Sequence, residues 1–148
     1  MIRGTTAVFK FTLPHELQHI AEAKVVFKQE GYNGTLANPL PIVKNYTNKK
    51  DFVGITSKDL IVVLNGAETK AFTDKLKARV QLKAVSEEYT DENGQTIKRT
   101  SIGTIPQLFT VYPMDDNIID GAVDENVQTQ GGYVILDGGN IVVTEVAE

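Results

Sequence analysis

The residues whose spacing most suggests chemistry are His15-Glu16-Leu17-Gln18-His19. They match H-E-x-x-H, which on a helix sets two imidazoles one turn apart on a zinc ion, with the Glu as general base. The surroundings argue against that use. Pro14 precedes the motif, so His15 would fall in the first helical turn, and the residues from Ala23 onward alternate like a strand. A metzincin would need Gly at position 22 and His at 25, where this chain has Glu22 and Val25. His15 and His19 are the only histidines, and the nearest conceivable carboxylate ligand, Glu30, lies beyond that strand. The expectation is a short surface helix over residues 14–21 without zinc. A metallopeptidase using His15, Glu16 and His19 is the weakest of three functional readings.

The other chemical candidates are also plain. Asp115, Asp116, Asp120, Asp124 and Glu125 could offer oxygens to calcium, but they lack the 1, 3, 5 spacing of an EF-hand and read as a solvated acidic connector. Gly131-Gly132 and Gly138-Gly139 open no helix and precede no Lys-Ser or Lys-Thr, so they read as joints and turns, not phosphate loops. Ser57, Ser86 and Ser101 sit in no G-x-S-x-G elbow, and there is no cysteine to act as nucleophile, thiolate ligand or disulfide. The sequence therefore predicts no catalytic residue, no metal and no cofactor.

Charge is distributed unevenly. Residues 1–112 carry all 15 Lys and Arg with 11 acids, whereas residues 113–148 carry 8 acids and no base. A mildly basic body is followed by a purely acidic tail. No Lys/Arg cluster interleaved with aromatics appears, which argues against nucleic acid. No apolar run approaches the length of a membrane helix, and the first residues carry no apolar signal-peptide core, so neither a membrane nor export is expected.

The elements that must position any site are short strands. Residues 5–13, 23–28 and 76–84 alternate apolar with polar, residues 40–45 read as an edge strand, and residues 59–64 are apolar on both faces, as in a central strand. Residues 66–72 suggest one helical turn between strands. Asn93-Gly94 is a strong hairpin signal, with the return strand over residues 96–112 interrupted by Pro106. Six or seven strands with few helical turns predict an all-β fold, an immunoglobulin-like antiparallel β-sandwich over residues 1–113; a small closed barrel is the alternative. Residues 114–148 form an acidic connector and a C-terminal β-hairpin arm. Its strands hold Tyr133, Val134, Ile135 and Leu136, then Ile141, Val142 and Val143. An isolated hairpin is marginal in water, so the arm must pair with a sheet edge, its own or a neighbour's. Lys77, Arg79 and Lys83 on the body are expected to meet Asp115, Asp116, Asp120, Asp124 and Glu125 of the same or an adjacent chain.

The opening Met1-Ile2-Arg3-Gly4-Thr5-Thr6, continuing through Phe9-Lys10-Phe11-Thr12-Leu13-Pro14, resembles small virion-associated proteins of tailed phages. Similar stretches surround Ile61-Val62-Val63-Leu64, Ala78-Arg79-Val80-Gln81-Leu82-Lys83 and Leu108-Phe109-Thr110-Val111, so the likeness spans roughly residues 1–120. The loop near residues 31–50 and the tail from Gly121 depart from it. The resemblance implies a structural virion component, made in the host cytoplasm, partnered by other virion proteins and by copies of itself, and not an enzyme. It carries no functional residues over. A free-standing module for carbohydrate or another host-surface ligand is the second reading.

Overall fold

The computed structural model describes residues 1–113 and the backbone of residues 140–145. The fold is all-β, mostly antiparallel. One sheet is built from β1 (Ala7–Thr12), β4 (Asp59–Leu64) and β10 (Asn140–Glu145), in the order β10-β1-β4. The other joins β3 (Ile42–Tyr46), β2 (Ile20–Gln29), β5 (Ala78–Ser86) and β8 (Ser101–Gly103) in that order, with β9 (Gln107–Phe109) also on β5. β6 (Tyr89–Thr90) and β7 (Thr96–Ile97) form a separate two-stranded hairpin.

Alternation decides which side chains face inward. On β2, Ala23, Val25 and Phe27 are buried while Lys24 and Lys28 are exposed; on β5, Ala78, Val80, Leu82 and Ala84 are buried while Gln81 and Lys83 are exposed. Phe9 of β1 joins the sheets: its ring meets Phe27 edge-on at 4.9 Å and Phe109 at 5.2 Å. The helical turn α1 (Gly66–Thr69) opens with a reciprocal cap, in which Asn65 Oδ1 accepts from Glu68 N and Glu68 Oε1 accepts from Asn65 N. Gly94 takes a φ of 78° in the β6–β7 turn, a conformation that glycine adopts without a Cβ clash.

Three sequence expectations change. The anticipated helix over residues 14–21 is a single 3₁₀ turn, Leu17–His19, followed at once by β2. The cause is tertiary: Leu13, Leu17 and Ile20 are all buried, and Leu17 N and Gln18 N donate to Ser57 O and Ile55 O at 2.8 Å, bonds that a helix would have kept to itself. β4 is not central, because β1 is its only ladder partner among the described residues. Its unbroken apolar run instead reflects burial on both faces, with Leu60, Val62 and Leu64 on one and Ile61 on the other. The return strand over residues 96–112 is divided into β7, β8 and β9, with Pro106 between the last two.

Candidate functional site

The five-stranded sheet turns a cationic face to solvent. Antiparallel register sets Lys24 of β2 directly opposite Lys83 of β5, and Lys28 directly opposite Arg79. Val26 and Gln81 pair between them. Like charges directly opposite on one face repel, so the sheet carries two unfavourable rungs separated by the neutral Val26–Gln81 pair. The Arg79 guanidinium is partly answered by Glu30, which it contacts beyond the end of β2. For the Lys24–Lys83 rung, no ion pair appears among the described residues.

The surface is hollowed on both sides of that rung. A depression of about 360 Å³ is lined by Lys24, Val26, Gln81, Lys83, Ser101 and Gly103. A second, of about 290 Å³, is lined by Glu22, Lys24, Asn45, Thr47, Lys83 and Val85. Carboxylates seated between the two ammonium groups would turn a repulsive rung into two attractive contacts. The face is therefore suited to an extended acidic chain.

Of the predicted electrostatic residues, Arg79 and Lys83 lie on this face and Lys77 is exposed just before β5. Lys24 and Lys28 escaped the sequence reading. Their alternation was visible, but only the register shows which cations they oppose. Asp115, Asp116, Asp120, Asp124 and Glu125 lie outside the described residues, as do Tyr133, Val134, Ile135 and Leu136.

Ile141, Val142 and Val143 are in β10, which runs parallel to β1 of the same chain. Val8 pairs with Asn140, Phe9 with Ile141, Lys10 with Val143 and Phe11 with Thr144, with a register shift after Phe9. The tail thus supplies a strand to the body's own sheet. It gives β1 a second neighbour opposite β4.

The H-E-x-x-H residues converge on a phenol. His15, buried, places Nδ1 2.9 Å from the Tyr89 hydroxyl, and His19 stacks on the Tyr89 ring at 3.6 Å, 4° from parallel. Both imidazoles are thus engaged with Tyr89. No group of three or more potential metal ligands occurs among the described residues.

Fold and surface together define an all-β protein with a cationic sheet face and a tail strand laid parallel on β1. No protein-family model matches the chain, and no curated protein or solved structure does either.

Proposed function

We propose that this protein is a structural component of a tailed-phage virion, an immunoglobulin-like sandwich that assembles through its sheet edges and its acidic C-terminal arm. The observation that carries the reading is the parallel pairing of β10 on β1. A strand delivered to a sheet edge by a long connection is held by main-chain hydrogen bonds, and those bonds are equally available to the same strand of another copy. Three further features support it. The outer edges of β3 and β4 have no ladder partner among the described residues. The cationic face complements a tail with 8 acids and no base. The resemblance of residues 1–120 to small phage virion proteins points the same way.

In this reading the strand supplies most of the holding energy. Contacts between Lys77, Arg79 and Lys83 and the carboxylates of Asp115, Asp116, Asp120, Asp124 and Glu125 set orientation and remain sensitive to salt. The partners are copies of the chain and other virion proteins. The test is incorporation. A chain ending at residue 120 is expressed in place of the full one during particle production, and purified virions are examined by mass spectrometry. The full chain is expected in the particles and the shortened chain is not. Shortened chains incorporated at the normal level would overturn the proposal.

A further inference from the structure

A polar cleft among the described residues shares no lining residue with the cationic face, and the proposed assembly makes no use of it. It measures about 580 Å³ and is walled by three separate stretches: residues 14–19, the turn at Thr56 and Lys58, and Tyr89 to Glu92 of the β6–β7 hairpin. That volume falls within the usual range of small-molecule sites.

Each wall is fixed by its backbone. Leu13 N donates to Lys58 O at 2.7 Å, Leu17 N to Ser57 O and Gln18 N to Ile55 O, so the first two stretches are tied together. The hairpin is tied at its root by Glu87 N donating to His19 O at 2.7 Å. At its tip, Asp91 Oδ1 accepts from Asn93 N and Gln95 N at 2.9 Å. The ring of Tyr89 is held on its face by His19 and on its edge by His15, whose ring stands 89° from it. A ligand entering such a cleft would have little protein to order, which lowers the entropic cost of binding.

We propose that this cleft binds a neutral saccharide. Sugars present apolar C–H faces between dense rings of hydroxyls, and two kinds of wall match them. The stacked pair of His19 and Tyr89 offers flat, rigid carbon surface with polar edges. Glu16, Gln18, Lys58, Thr90 and Glu92 bring hydrogen-bond acceptors and donors around it. Glu16 and Gln18 already bond to each other, Gln18 Nε2 donating to Glu16 Oε1 at 3.0 Å, and an apolar ligand would shut their remaining hydrogen-bonding capacity away from water. Charge narrows the class further: Glu16, Asp91 and Glu92 oppose the single ammonium of Lys58, so sialylated or phosphorylated sugars are repelled. The inference is independent of the assembly reading, because it uses none of the same residues.

The full chain is applied to an array of neutral and sialylated glycans, and the best neutral ligand is then titrated into ¹⁵N-labelled protein. Binding is expected to a neutral glycan and not to its sialylated form, with shifts at the amides of Gln18, Thr90 and Glu92. Glu92→Gln, at an exposed position that leaves the fold intact, should weaken binding several-fold. Tyr89→Ala should weaken it at least tenfold, while Tyr89→Phe, which keeps the ring, should retain most of the affinity. Lys28→Ala, on the other face, should have no effect. The proposal is overturned if no neutral glycan is retained, if sialylated forms bind equally well, or if neither Glu92→Gln nor Tyr89→Ala changes the affinity.

Discussion

Reversing one charge on the cationic face should stabilise the protein. Lys24 stands directly opposite Lys83, and both are exposed. For two ammonium groups at a separation of about 6 Å in water, Coulomb's law gives about 0.7 kcal/mol of repulsion. Lys24→Glu removes that term and replaces it with an attraction of similar size. Two effects reduce the gain. Salt at 0.15 M screens over about 8 Å. Glu22, two residues back on the same strand face, would repel the new carboxylate. Measured cross-strand charge pairs contribute about 0.2–1 kcal/mol, and a net gain of about 0.5–1 kcal/mol at low ionic strength is expected. Urea unfolding read by far-UV circular dichroism checks it at about 0.01 M and about 1 M salt, where the screening length falls from about 30 Å to about 3 Å. The stabilisation should be present in the first and nearly absent in the second. The double substitution Lys24→Glu with Lys83→Glu restores a like-charged rung and should return stability toward the starting protein. If Lys24→Glu is neutral or destabilising at low salt, or if the double variant is as stable as the single one, the two residues do not share a rung and the cationic face is wrongly built. The same substitution should weaken binding of an acidic peptide, so stability and binding would move in opposite directions.

Phe9→Ala empties the contact between the sheets and should cost about 3–5 kcal/mol, seen as a lower urea midpoint. Gln29 is buried and tied to the turn after α1: Nε2 donates to Thr73 O and Leu76 O at 2.8 Å, and Oε1 accepts from Thr73 N at 2.9 Å. Gln29→Leu leaves these groups without their partner and should cost about 1–3 kcal/mol by the same assay. Burial, then the carboxylates of Glu68 and Asp51, push the Tyr46 hydroxyl up to about 12. Its folded pKa lies above the unfolded value near 10, so its contribution is complete below pH 10 and is lost as pH rises toward 12. Ultraviolet titration should show Tyr46 ionising late, and Tyr46→Phe should remove that late step and flatten the fall in stability across that window.

Much of the framework was legible because it depends on local chemistry. The alternation of residues 76–84 marked β5 with its cations outward, Asn93-Gly94 marked a turn, and residues 66–72 suggested the helical turn that became α1. What was not legible depends on partners distant in sequence. His15 to His19 looked helical by spacing, yet Leu17 is drawn into the core and its backbone bonds to residues near 57. No local pattern announced that Tyr89, seventy residues away, would occupy both imidazoles. Lys24 and Lys28 were readable as outward cations, but the cross-strand register that makes them repulsive rungs is a property of the pair. The parallel seat of β10 is likewise a choice among several edges that the strand's own residues do not specify.

The central claim is that the tail strand lies parallel on β1 and can be exchanged between copies. The chain has no cysteine, so an engineered pair reports without interference. Val8 and Asn140 are direct partners in the parallel ladder, where neighbouring strands lie about 4.8 Å apart, within reach of a disulfide. Chains carrying Val8→Cys are mixed under oxidising conditions with chains carrying Asn140→Cys, beside a chain carrying both. Mass spectrometry after non-reducing electrophoresis then separates internal closure from covalent heterodimers. The account predicts closure within the doubly substituted chain and heterodimers in the mixture. Closure without heterodimers would confine the strand to its own chain and contradict assembly by strand exchange, and no crosslink in either would contradict the parallel pairing itself.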